Sequence, residues 1–303
     1  MRSVRRTATG VETVQGPPPD GEGVRVRVTS AGICGSDLHA DGPSPVVLGH
    51  EFGGLLDDGS LVAVQPFAPC GACPACRRGE EQLCPATRDF HGASRDGGLA
   101  DEVLVAPRCL VPVPPGVDPA AVGLVEPIAV AVHAVNRARL RPGERALVIG
   151  GGSIGLLCAA VLAERGTDVD LLARHPAQQS AADALGLGGA VAGRYAVVVD
   201  AAGTASSAEQ ALRAVERGGR LVLVALPWQP IAFGLPLVLK EVSVIPAIYY
   251  GRGDFSAAAE VLGRHPELAE LLVTHRFPLE DAATAFRVAS DRAAGAIKVH
   301  LIP

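Results

Sequence analysis

The chain reads as an α/β protein: a doubly wound parallel sheet preceded by a β-rich N-terminal region that carries a zinc lobe. Three observations predict this. Cys70, Cys73, Cys76 and Cys84 stand at a Cys-x2-Cys-x2-Cys-x7-Cys spacing, which lets four thiolates close on one tetrahedral zinc and leaves no open position. From about Glu126 onward, short apolar runs alternate with Ala-rich helical segments. The first of those runs feeds directly into Gly150-Gly151-Gly152-Ser153-Ile154-Gly155, the spacing of a dinucleotide-binding turn.

In the N-terminal third, Val24, Val26 and Val28 alternate with Arg25, Arg27 and Thr29, the period of a strand with one buried face. Leu61–Gln65 and Asp101–Val105 add further short strands between frequent glycines and prolines. The four-cysteine lobe has three competing readings, a redox pair, an iron-sulfur run and disulfides. An iron-sulfur run places its fourth cysteine sooner, after three residues, so the seven-residue gap favours zinc. Gly71, Pro74 and Gly79 supply the tight turns such a knot needs.

The later strands are Ala146–Ile149, Val169–Leu172, Ala196–Val199 and Leu221–Val224. The stretch Leu221–Leu239 is long enough to span a bilayer, but Pro227, Gln229, Pro230 and Pro236 interrupt it, so it reads as two buried strands joined by a loop. In the glycine turn, Gly150 permits the tight bend, Gly152 lets backbone approach a pyrophosphate, and Gly155 allows a helix over Ser153–Arg165 to pack on the strand. Ser153 and Ile154 open that helix, whose N-terminus attracts phosphate charge.

Upstream lie Gly32-Ile33-Cys34-Gly35-Ser36-Asp37-Leu38-His39, then Gly49-His50-Glu51, and much later Glu126-Pro127. Cys34 offers a thiolate, His50 an imidazole, and Glu51 and Glu126 oxygen, the donor mixture of an open catalytic zinc. Taken singly, each has a bland alternative as a packed or hydrogen-bonded core residue.

Composition narrows the partners. With 303 residues, 48% hydrophobic and 19% charged, the chain can bury two cores as a soluble globular protein. A net charge of −5 without a basic cluster gives no footprint for nucleic acid. Arg2, Arg5 and Arg6 are not followed by an apolar run, so neither a signal peptide nor a membrane partner is expected, and the cytoplasm is the expected compartment. Cys109 and Cys158 read as packing residues. The partner expected is a small molecule.

Taken in this order, the motifs resemble the zinc-dependent medium-chain dehydrogenases, the alcohol and polyol dehydrogenase family, over nearly the whole chain. The resemblance implies a GroES-like β-barrel catalytic domain from residues 1–130 and 275–303, a zinc lobe at 66–86, and a Rossmann domain at 131–274. It implies Cys34 and His50 as ligands of a catalytic zinc, with Glu51 following as ligand or exchangeable partner. Glu126 stands where alcohol-type members place a second cysteine, and a glutamate there resembles polyol, sugar and threonine dehydrogenases. Ser36 and His39 match the family's proton relay, and Asp37 the carboxylate that orients the zinc-bound histidine. The implied reaction is hydride transfer between a secondary alcohol and a nicotinamide dinucleotide, and the ketone is the reverse substrate. Family members form dimers or tetramers, so a homo-oligomer is expected, here through residues near Val242–Tyr250. The alternative is a cofactor-binding regulatory or structural relative without turnover.

The chain departs from that family in length. The segment Ala40–Pro45 is short, Leu55–Ser60 is clipped, and little separates Leu187 from Tyr195. Phe90, Trp228, Tyr249 and Tyr250 are candidates to line the substrate pocket.

Cofactor preference follows from one position. An NAD-selective unit ends its second strand with an acid about 20 residues after the glycine turn. Here the sequence is Thr167-Asp-Val-Asp-Leu-Leu-Ala173-Arg174-His175, and the acidic position falls on Ala173 or Arg174. Asp168 and Asp170 come too early. With no carboxylate to repel a 2′-phosphate and Arg174 available to bind it, NADP is expected over NAD.

Overall fold

The computed structural model describes residues 1–40, 42–187 and 191–303. Its contacts divide the chain into two compact units, Met1–Glu126 with Gly251–Pro303, and Pro127–Tyr250.

The first unit opens with an antiparallel hairpin, β1 (Arg2–Thr7) and β2 (Gly10–Gln15). Strand β3 (Val24–Gly32) buries Val26 and Val28 and exposes Arg27 between them, as the alternation requires. A short helix α1 (Gly35–His39) follows it directly. Strands β4 (Glu51–Leu55) and β5 (Leu61–Val64) pair antiparallel beside β3. After the lobe helix α2 (Pro74–Arg77) come β6 (Glu102–Val105) and β7 (Leu110–Pro112). Helix α3 (Val125–Ala138) leads out of this unit. It starts two residues before Pro127, which its first turn accommodates because those N–H groups have no intrahelical partner. The apolar run Pro119–Ala138 is long enough to cross a membrane, yet it is largely buried within the fold.

The second unit is a Rossmann sheet. Strand β8 (Arg145–Ile149), helix α4 (Ser153–Glu164), β9 (Asp168–Leu172), α5 (Pro176–Ala184), β10 (Tyr195–Asp200), α6 (Ala205–Ala214) and β11 (Val215–Leu223) alternate as the pattern predicted. Helix α7 (Leu235–Leu239) and β12 (Ser243–Pro246) complete it. All pairs are parallel, in the order β12-β11-β10-β8-β9. Leu147, Ile149, Tyr195, Val198 and Leu221 form its core. Beyond Val224 the expectation for Leu221–Leu239 is corrected: its second half is not a buried strand but α7, with Leu235, Val238 and Leu239 exposed at 66%, 70% and 57%. Gly234 caps that helix and Pro236 occupies its first turn, so the proline starts the helix and does not break a strand.

Among the described residues, β9 is an edge strand paired only with β8. The clipped connection between Leu187 and Tyr195 includes residues 188–190, which lie outside the described residues. Arg145 pairs with Asp168 at 2.7 Å and Asp170 at 2.8 Å, and Tyr195 Oη donates to Asp170 at 2.5 Å. Both aspartates therefore charge the edge, a standard protection against strand addition.

The chain returns to the first unit at Gly251, ahead of the expected His275. Helix α8 (Arg252–Arg264) explains the difference: Arg252 donates to the carbonyls of Arg108 and Leu110, and its N–H to Glu81 at 2.7 Å. Helix α9 (Glu267–Leu272), β13 (Val273–Pro278), α10 (Ala282–Ser290) and β14 (Lys298–Ile302) follow. Strand β14 completes a seven-stranded sheet, β13-β14-β3-β4-β5-β7 with β6 on β3, around a core of Val26, Val28, Phe52, Val62, Leu99 and Leu301. This is the GroES-like barrel.

Candidate metal and dinucleotide sites

Cys70, Cys73, Cys76 and Cys84 bring their sulfurs within 4.8 Å of one another. Cys73 caps α2 and accepts from the Cys76 N–H at 3.5 Å, Cys70 accepts from the Cys73 N–H at 3.3 Å, and Cys84 accepts from the Cys70 N–H at 3.3 Å. The N–H groups of Ala72 and Cys73 pull the Cys70 thiol down to about 6, whereas burial and neighbouring sulfurs push Cys76 up to about 12. Four crowded thiols with N–H groups aimed at the sulfur atoms fit a tetrathiolate zinc.

The second cluster is built where β3 ends. Cys34 is the N-cap of α1, so its side chain stands beside the helix that carries Ser36, Asp37 and His39. The Cys34 N–H donates to Asp37 Oδ2 at 2.9 Å, and Asp37 Oδ1 faces His50 Nδ1 at 3.7 Å. One buried carboxylate thus fixes the cysteine backbone and sets its charge beside the imidazole. Ser36 is half-buried and His39 exposed, three residues apart and so on one side of α1. Arg6 donates to the Asp37 carbonyl and ties α1 to β1. Donor atoms of Cys34, His50 and Glu51 lie within 4.8 Å of one another.

Glu51 is not free. Both its oxygens accept from Lys298 Nζ, at 2.8 and 2.7 Å, with the two side chains 1% and 4% exposed. Burial alone would raise the Glu51 carboxyl, but Lys298 and then His50 hold it below its ordinary value. Glu126, buried in the first turn of α3, contributes negative field at His50 and Lys298.

Charge shows what the cluster is built for. Burial would lower His50, yet the fields of Cys34 and Asp37, a hydrogen bond with Cys34 and the field of Glu126 raise it well above its usual value. A pocket that draws a proton onto a buried imidazole in this way is electrostatically matched to a cation, and its soft, imidazole and oxygen donors match zinc.

Lys298 and His300 were missed at the sequence level. They are alternate residues of β14, buried on one face while Val299 and Leu301 enter the core on the other. Two polar residues two apart in a closing strand are the available signal, but their partners are remote: Glu51 for Lys298, and Ser30 Oγ, 2.8 Å from His300 Nδ1. Among the pocket candidates, Phe90 lies edge-on to His50 at 5.5 Å between ring centroids. Tyr250 is fully buried, Trp228 is 55% exposed, and Tyr249 holds a left-handed φ of 51°.

In the second unit, Gly150 follows β8 with φ 110°, and a Cβ on Gly155 would meet the Gly150 carbonyl oxygen at 1.7 Å. Only glycine satisfies both positions. Gly152 caps α4 and has open space where a Cβ would project, which leaves backbone accessible to a ligand. Ser153 and Ile154 form the first turn of α4. Ala173, the first residue after β9, abuts Gly151, where an added Cβ would lie 2.6 Å from the alanine Cβ. Arg174 Nη2 donates to Ser206 Oγ at 3.2 Å and Gln210 Oε1 at 3.5 Å.

Residues 20–115 match the model of the alcohol dehydrogenase GroES-like domain, and residues 120–299 that of the glucose dehydrogenase C-terminus. The chain is 31% identical to L-galactonate-5-dehydrogenase of Escherichia coli K12, over 89% of this chain and 88% of that protein. It is similar in structure to a short chain alcohol dehydrogenase from Escherichia coli CFT073 complexed with NADH, with TM-score 0.88, 25% identity, and coverage of 100% of this chain and 99% of that one. A zinc-binding dehydrogenase from Sinorhizobium meliloti 1021 bound to NADP gives TM-score 0.86 and 27% identity at the same coverage.

Proposed function

This chain belongs to the zinc-dependent medium-chain dehydrogenase family and is an oxidoreductase of the polyol dehydrogenase type, and from that premise we propose that it transfers hydride between a secondary hydroxyl of a polyol or sugar acid and NADP. The observation that carries the reading is the convergence of Cys34, His50 and Glu51, with the negative field of Glu126 at His50, apart from a closed four-cysteine lobe.

Cys34, His50 and Glu126 would hold the catalytic zinc, and Glu51, engaged by Lys298, stands behind it. Bound there, zinc supplies Lewis acidity toward the substrate hydroxyl. Asp37 fixes the Cys34 backbone and faces His50, keeping thiolate and imidazole in place. The Ser36 hydroxyl would accept the substrate proton as it gives up its own along the relay, and His39, exposed at the end of α1, would release the relayed proton to solvent. Gly150, Gly152, Ser153, Ile154 and Gly155 would cradle the pyrophosphate.

The substrate class is supported by the glutamate at position 126 and by the relative that acts as an L-galactonate-5-dehydrogenase. NADP is supported by Ala173 and Arg174, which leave no acid at the end of β9. A homo-oligomer is supported by the exposed leucines of α7, the helix that precedes the edge strand β12 in the chain. Seven free thiols suit the reducing cytoplasm.

The test is a screen of initial rates with zinc-loaded protein, NAD and NADP, against aldonic acids, linear polyols and simple alcohols. Turnover of aldonates or polyols with NADP is expected. Turnover confined to simple primary alcohols, or none, would contradict the reading.

A further inference from the structure

Arg174 is held by neutral oxygens. Its Nη2 donates to Ser206 Oγ and Gln210 Oε1, and among the described residues no carboxylate forms an ion pair with its guanidinium. Elsewhere the chain treats arginines differently: Arg2, Arg25, Arg145 and Arg220 each pair with an acid.

The bridge also has a particular place. Arg174 lies two residues beyond β9, and Ser206 and Gln210 belong to α6, which follows β10. In the sheet, β8 stands between β9 and β10, so the bridge spans the C-terminal end of β8, where Gly150 begins the turn. There the sheet reverses its winding, and doubly wound sheets bind nucleotides in the crevice at that point. Ser206 and Gln210 are four residues apart and share one face of α6.

The geometry points to Ser206 and Gln210 as positioning residues that set cofactor specificity by holding Arg174 for the adenosine 2′-phosphate of NADP. The inference rests on the reading of Arg174 as the phosphate-binding residue. Two neutral acceptors restrain a long side chain with many rotamers but leave its charge intact, with Nε and Nη1 available to an anion. A carboxylate in their place would restrain it equally and cancel the charge.

The experiment measures kcat and KM for NADP and NAD in wild type, Arg174→Ala, Ser206→Ala/Gln210→Ala, Ser206→Thr and Gln210→Glu. The double variant should lower the NADP-to-NAD ratio of kcat/KM about tenfold, the scale of two neutral hydrogen bonds. The loss should lie in KM for NADP, with kcat and the NAD constants unchanged. Gln210→Glu should lower the ratio at least as far, and Ser206→Thr should keep it. If Arg174→Ala collapses the ratio while the double variant and Gln210→Glu stay within about twofold of wild type, the positioning role is overturned and the NADP reading stands. If Arg174→Ala leaves the ratio unchanged, the NADP reading itself fails.

Discussion

Lys298 Nζ binds both carboxylate oxygens of Glu51, at 2.8 and 2.7 Å, across a separation of 247 residues. The pair joins β14, the last strand of the chain, to β4, directly after the ligand candidate His50. It occupies both Glu51 oxygens, which supports the proposal that Glu126 would be the carboxylate on the metal.

Removing one partner strands a buried charge. Lys298→Met should therefore cost about 3–5 kcal/mol of stability, read from urea unfolding. Lys298→Met/Glu51→Gln should lose less than the sum of the single changes, because the uncompensated charge is gone. Additive losses would show that the pair is not coupled.

His300 gives a pH-dependent term. Burial, and then the field of Lys298, push its imidazole down to about 4, against about 6.5 in the unfolded chain. The folded protein holds this residue neutral, so its contribution is complete above the unfolded pKa and is lost as pH falls from about 6.5 toward 4. The full loss is about 3 kcal/mol. Unfolding free energies at pH 7.5 and 5 should differ more in wild type than in His300→Gln. Equal differences would remove His300 from the acid lability.

The relay predicts graded defects. Ser36→Ala should lower kcat by about 10²-fold, since Ser36 is the half-buried member. His39→Ala should have a modest effect, because this exposed residue can be replaced by water. Unchanged kinetics and pH dependence in Ser36→Ala would show that the proton leaves by another route.

What the sequence made legible was local. The cysteine spacing, the glycine turn and the strand alternation of Val24–Thr29 each lie within a few residues, and each appears in the structure as a sulfur cluster, a turn after β8 and a half-buried strand. The pairing of Lys298 with Glu51 and of His300 with Ser30 was not legible, because the long-range pairing of β14 with β3 brings these residues together and no periodicity records it. Leu235–Leu239 misled for a related reason: an apolar run reads as core, yet in α7 much of it faces outward.

The most direct test is zinc content measured together with cofactor reduction, in wild type and Cys34→Ala. The account predicts two zinc ions per active wild-type chain, and one per Cys34→Ala chain that keeps its far-ultraviolet circular dichroism but has no turnover. A fully active wild type holding a single zinc, or a Cys34→Ala variant that still turns over, would contradict it.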